Sequence, residues 1–165
     1  MAQDLFKQVE KKAIFPNLKV KKNFSKQKYL ISVDKQELFE KFKNDGFHLD
    51  EDIRNHLYQQ YGRGAIKIFE LIKEDKSLKE IIDDENDFIK AEVVYSLRYE
   101  LTPHLIDVFC RRTEMSIFIK HSKQLEAAKK VAELMSKEYN WNEEKKNEET
   151  KIYIEYIQKT VAFLK

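Results

Sequence analysis

Apolar residues in this chain recur mostly at three- and four-residue intervals, the spacing that lines one face of a helix. The pattern is regular from Asp34 onward. Asp34-Lys35-Gln36-Glu37 has the form of a capping box, with Asp34 as N-cap and Glu37 three residues on, ahead of Leu38, Phe39 and Phe42. That helix is expected to stop near Gly46. Asp50 is placed to cap a second helix that Gly62 ends, and residues 64–73 carry Ala65, Ile68, Phe69 and Ile72 on one stripe. Behind Asp87, as N-cap, residues 88–99 are apolar on nearly every side, as expected of a helix central to a bundle. Thr102-Pro103 joins an N-cap hydroxyl to a proline at the first helical position and predicts a helix running to about Arg112. Ser122 is expected to cap residues 123–139, with Leu125, Ala128, Ala132, Met135 and Tyr139 inward. Asn142 is expected to cap the last helix, with Tyr153, Tyr156, Ile157 and Phe163 or Leu164 inward.

Ahead of Asp34 the period is lost. Residues 3–13 read as a short helix that Pro16 stops, and 18–33 show no helical spacing. Residues 28–33, Lys-Tyr-Leu-Ile-Ser-Val, are the one strand-like piece. The predicted fold is therefore all-α, a multi-helix bundle of about six to seven helices with a short extended N-terminal arm. Residues 1–33 form the first helix and connecting arm, and 34–165 the bundle.

Composition supports this and removes alternatives. The chain has 165 residues, the size of one domain, with only 3 glycines and 2 prolines. An all-β fold needs many more turn residues, and neither a dinucleotide-binding glycine loop nor a phosphate loop can be assembled from these glycines. The single cysteine, Cys110, can form neither an internal disulfide nor a metal site alone, which fits a reducing compartment. No apolar run is long enough to span a bilayer, and Met1-Ala2-Gln3-Asp4 opens neither a signal peptide nor an arginine-rich presequence.

Charge changes the picture once it is located. The net charge is +2, but residues 1–35 hold nine lysines against three acids, leaving the remainder net acidic. Lys19, Lys21, Lys22, Lys26 and Lys28 make this basic arm. It reads either as a solvated arm or as a contact for a partner surface or anionic membrane. Phe24 and Tyr29 stand among the lysines, but the arm has no arginine and precedes an acidic bundle, so no nucleic-acid partner is assigned.

Candidate chemistry is sparse. His48, His56, His104 and His121 form no metal-binding pair and read as surface or cap residues. Cys110 follows Val108-Phe109 and reads as a buried, inert thiol. Asp83-Asp84-Glu85-Asn86-Asp87 lacks the glycine and closing glutamate of a calcium loop and reads as a solvated linker. No catalytic, cofactor-binding or metal-ligating residue is assigned. The remaining constellation is Glu92, Arg98, Glu100, Arg111 and Arg112. Charges beside such apolar sequence should be paired, either as an ion-pair network tying two helices together or with an arginine turned toward an anionic ligand or partner domain. If a buried acid depends on Arg111, replacing it by Ala should cost several kcal/mol.

Four blocks then resemble a known family. Phe88-Ile89-Lys90-Ala91-Glu92-Val93-Val94-Tyr95, followed by Glu100 and by Asp107-Val108-Phe109-Cys110-Arg111-Arg112-Thr113, is similar to the A-E-V-x-Y…E…D-V-L-x-R-R-T run in the C-terminal domain of FAD-dependent glycerol-3-phosphate dehydrogenase and α-glycerophosphate oxidase. Met1-Ala2-Gln3-Asp4 resembles the family's M-A-E-D, and His56-Leu57-Tyr58-Gln59-Gln60-Tyr61-Gly62-Arg63-Gly64-Ala65 its H-L-x-x-x-Y-G-x-x-A. Leu134-Met135-Ser136-Lys137-Glu138-Tyr139-Asn140-Trp141 resembles its M-x-x-E-L-G-W. Asn140 stands for the family's glycine and still tolerates a left-handed helix end. Glu114 stands where the family places another arginine, which removes one cation from any cluster for a substrate phosphate.

The resemblance implies a helical domain that caps a preceding FAD domain and holds no FAD itself. The parent enzyme would oxidise sn-glycerol 3-phosphate to dihydroxyacetone phosphate and pass electrons to quinone, as in the dehydrogenases, or to oxygen, as in the oxidases, with a quinone-linked enzyme on the mitochondrial inner membrane in a eukaryote or the cytoplasmic membrane face in a bacterium. The implied partners are the chain's own N-terminal FAD domain, quinone and a membrane surface, and the chain alone is expected to be inactive. The other reading of the residues is a free-standing helical protein-protein interaction module.

Overall fold

The computed structural model describes residues 2–12, 34–44 and 49–162. The expected strand-like arm, the stops at Pro16 and Gly46, His48 and the inward Phe163 or Leu164 lie outside the described residues. The chain divides into two units, Met1–Leu30 and Ile31–Lys165. In the first, helix α1 spans Ala2–Lys11. The second unit holds the helices that follow α1.

That unit is all-α, as the pattern predicted. Its helices are α2 (Lys35–Asn44), α3 (Glu51–Tyr61), α4 (Ala65–Glu74), α5 (Lys90–Tyr99), α6 (Leu105–Asp107), α7 (Met115–Phe118), α8 (Gln124–Tyr139) and α9 (Glu143–Thr160). Short 3-10 turns precede α4 and α8, and another follows α4 at Lys76–Lys79. A π-helical turn, Val108–Arg112, extends α6.

Helix α5 is central because its two sides serve two cores. Val93 and Leu97 join Leu105, Phe109, Met135 and Tyr153 in one. Ala91 and Val94 join Leu57, Ile68 and Ile72 in the other. Burying each large apolar side chain contributes roughly 1.5–3 kcal/mol, so a helix feeding both cores couples the two halves of the bundle. In the first core the Phe109 and Tyr153 rings lie 4.3 Å apart. The Tyr153 hydroxyl donates to Gln124 Oε1 at 2.5 Å, and Gln124 Nε2 donates to the Ile119 carbonyl at 2.7 Å.

Several expected caps are present. Asp34 Oδ1 accepts the Gln36 and Glu37 amides at 2.9 and 3.0 Å, and Asn142 Oδ1 accepts the Lys145 amide at 2.8 Å. Asn140 ends α8 in the left-handed region at φ 54°. Asp50 stands at the α3 N-cap position without a side-chain capping bond.

Other expectations need correction. Asp87 does not start α5. An antiparallel bridge between Ile81 and Ile89 keeps 88–89 extended, and the helix begins at Lys90. Thr102-Pro103 does not start α6. Thr102 is fully buried, and His104 is the N-cap residue instead. Ser122 lies within a 3-10 turn, and α8 begins at Gln124. The inner face of α8 is accordingly rotated: Ala127 and Val131 are buried with Ala128, Ala132 and Met135, whereas Leu125 and Tyr139 are 46% and 36% exposed. Tyr156 is likewise exposed, and Cys110 is only half-buried. The acidic segment is no solvated linker throughout, because Asp83 is buried and Lys123 lies against Asp83, Asp84 and Glu85.

Candidate functional site

The five charged residues of the helical block occupy four separate settings. Glu92 points into the bundle and is 1% exposed. One carboxylate oxygen accepts the Ile89 amide at 2.9 Å, closing the first turn of α5, and the other lies 2.8 Å from His56 Nε2 on α3. The carboxylate thus ties α3 to the start of α5. His56 packs edge-on against Phe88, 5.2 Å between rings. Burial opposes the charged imidazole most strongly, but the Glu92 hydrogen bond and the charges of Glu92 and Asp87 outweigh it, so the His56 pKa is raised above its ordinary 6.5. Tyr61 is pushed well up, first by burial and then by Glu92.

Arg98 turns the other way. Its guanidinium makes a two-pronged contact with Glu138 on α8, at 2.7 and 2.6 Å, and reaches Glu74 at 3.8 Å. Arg111 pairs with Asp107 one turn back, and its side chain is 73% exposed. Arg112 donates from Nη2 to the Glu100 backbone carbonyl at 2.7 Å, with Nε 3.8 Å from the Glu100 carboxylate. The pairing of Arg112 with Glu100 therefore joins the π turn to the end of α5, while Glu92, Arg98 and Arg111 each have other partners.

A second buried carboxylate repeats the design of the first. Glu149 on α9 is 2% exposed. It accepts the Leu105 amide at 3.1 Å, so it caps α6 from across the bundle, and lies 3.0 Å from both His104 Nδ1 and Lys145 Nζ. Burial works to raise its pKa, but His104, Lys145 and the Leu105 amide prevail and lower it. Neither glutamate–histidine pair was found from sequence. His56 and Glu92 are 36 residues apart and His104 and Glu149 45, and no local spacing marks such pairs.

The turn after α5 gathers the remaining features. Leu101 has φ 53° and is 90% exposed. The Tyr139 hydroxyl lies 3.2 Å from both the Leu97 and Thr102 carbonyls, bracketing that turn. Tyr99 is half-exposed, with Lys67 Nζ 4.3 Å from its ring centre.

Among the described residues no three His, Cys, Asp or Glu side chains group as metal ligands, and no helix is long and apolar enough to cross a membrane. A polar cleft of about 250 Å³ opens between Ile82, Asp83, Asp84, Lys123, Glu126 and Lys130. Its ammonium and carboxylate groups are paired across the cleft or along α8, and Lys130 also donates to the Ile82 carbonyl at 3.0 Å.

Residues 24–146 match the family model of the C-terminal domain of alpha-glycerophosphate oxidase. A probable mitochondrial glycerol-3-phosphate dehydrogenase of Dictyostelium discoideum is 34% identical over 68% of this chain and 17% of its own length. The mitochondrial glycerol-3-phosphate dehydrogenase of Saccharomyces cerevisiae is 28% identical over 72% of this chain and 20% of its own. A glycerol-3-phosphate dehydrogenase of Synechocystis is 26% identical over 68% of this chain and 20% of its own. The match thus spans about a fifth of the length of these relatives. No solved structure matches the chain.

Proposed function

The chain belongs to the family of the C-terminal domain of alpha-glycerophosphate oxidase, and from that premise we propose that it is the helical cap of a FAD-dependent glycerol-3-phosphate dehydrogenase. The observation that carries the reading is the match over 24–146, joined to relatives named glycerol-3-phosphate dehydrogenase that are about five times longer than the matched stretch. The parent enzyme oxidises sn-glycerol 3-phosphate to dihydroxyacetone phosphate, with FAD held by the preceding domain and electrons passed to quinone. The three glycines of this chain, which supply no dinucleotide loop, accord with a flavin held elsewhere. A lipid-soluble acceptor requires a membrane surface, the mitochondrial inner membrane in a eukaryote, and the lysine arm adds electrostatic attraction to anionic lipid.

The test compares the full-length parent polypeptide with the 165-residue chain. The full-length protein should purify with stoichiometric flavin that glycerol 3-phosphate bleaches. The 165-residue chain should be colourless and inactive. A flavin-loaded 165-residue chain, or a colourless full-length protein that flavin fails to restore, overturns the proposal.

A further inference from the structure

We propose that Leu101 is the anchor by which the bundle docks on the flavin-bearing part of its own polypeptide, an inference that rests on the reading above. Leu101 is the most exposed large apolar residue described, at 90%, and its φ of 53° lies where leucine is disfavoured. A turn needed only for chain reversal takes glycine or asparagine at such a position, as Asn140 does at the end of α8. A leucine persists there only when its surroundings impose the conformation, and such positions cluster at functional sites.

The surroundings do impose it. On one side Arg112 grips the Glu100 carbonyl at 2.7 Å. On the other, the Tyr139 hydroxyl sits 3.2 Å from the Thr102 carbonyl, and Thr102 itself is fully buried. Arg112 is delivered by the π turn, a second departure from regular backbone of the kind that recurs at functional sites. Two irregularities from separate segments therefore hold one leucine out toward solvent. Tyr99, two residues before it, and Tyr139, whose hydroxyl reaches the adjacent Thr102 carbonyl, have partly exposed rings, Lys67 lies over the Tyr99 ring, and Arg112 reaches the adjacent Glu100. An apolar centre with aromatic and arginine neighbours and a polar rim is the make-up of a protein interface.

The size of the patch selects the occupant. A specific contact between free proteins buries about 1,000 Å² or more, which a few side chains around one turn do not supply. A tethered partner needs far less, because the tether supplies high effective concentration. The relatives carry about four-fifths of their length outside the matched region, enough for a second domain on the same chain.

Hydroxyl-radical footprinting of the full-length parent polypeptide tests this. Buried at an interface, Leu101 should label roughly fivefold more slowly than Ile117, which is 75% exposed, and Tyr99 should be protected with it. Equal labelling of Leu101 and Ile117 overturns the proposal. So does protection that vanishes on dilution, which would mean a second copy, or that needs phospholipid vesicles. Leu101→Asn keeps the left-handed backbone and removes the anchor. Tyr99 should then label roughly fivefold faster, as expected when an interface core opens, with the circular-dichroism melt of the bundle not lowered. Tyr99 that stays protected in this variant also overturns the proposal. A full-length protein without flavin sinks the parent reading; flavin present with Leu101 fully labelled sinks only the docking.

Discussion

Glu92 satisfies a helix amide and an imidazole with one buried carboxylate. Replacing it by Ala leaves both without their partner, and loss of one member of a buried pair costs about 3–5 kcal/mol; a chemical-denaturation midpoint should fall accordingly. Its partner His56 gives stability a pH dependence whose sign is fixed by the raised pKa. The folded state holds the proton more tightly than the unfolded chain, so this contribution is complete below about pH 6.5 and is lost as pH rises through the folded value. The groups around His56 are Glu92 on α5, Asp87 before it and the Phe88 ring. Glu149 works in the opposite direction: its lowered pKa stabilises above about 4.5 and is lost as pH falls. Thermal melts should therefore show stability declining as pH rises above about 6.5, and His56→Gln should flatten that decline; parallel slopes for the two proteins would refute the assignment. Arg111 stands apart. Its side chain is 73% exposed, but the Asp107 carboxylate it holds is buried, so Arg111→Ala should cost about 1–3 kcal/mol, above a surface pair and below a fully buried one.

At the scale of elements, Gly64 decides how closely α4 approaches α5. A Cβ there would stand 2.8 Å from the Tyr95 hydroxyl. Tyr95 is wedged between Tyr61 and Tyr99, with ring centres 5.4 and 5.3 Å away, so it has little room to yield. Gly64→Ala should cost about 1–3 kcal/mol through overpacking, seen as a lowered melting temperature; an unchanged or raised one would show that the tyrosine row gives way freely. The same elements show what local sequence carries. Asp34 and Asn142 were legible as caps because donor and acceptor lie within three residues of each other. Thr102-Pro103 looked equally strong, yet α6 starts later because Glu149, 44 residues onward, accepts the Leu105 amide. Asp87 lost its role to the Ile81–Ile89 bridge, a contact between segments. The centrality of α5 was visible in its apolar run, but the buried charge that caps it was not separable from its neighbours by periodicity. The π turn left no trace either, since one inserted residue changes register and not composition. Arg112 could be selected as a candidate, but its partner, a backbone carbonyl, is invisible in sequence.

For the whole molecule, the separation of charge matters more than its total. Six net positive charges lie in residues 1–35, ahead of an acidic remainder, so the small sum of +2 hides a dipolar chain. If the proposed membrane role holds, an anionic bilayer attracts the first segment and repels the net-acidic remainder. Each lysine near the surface contributes about 1 kcal/mol at best, and the attraction fades within a Debye length of roughly 10 Å at 0.1 M salt. The full-length parent should therefore sediment with vesicles containing anionic lipid at low salt and be released as salt rises. Replacing Lys19, Lys21, Lys22, Lys26 and Lys28 together by Gln should remove most of the salt-sensitive part while leaving the melting of the bundle unchanged. Binding that ignores both salt and these substitutions would place the membrane contact elsewhere in the polypeptide and leave the arm without a role at the lipid surface.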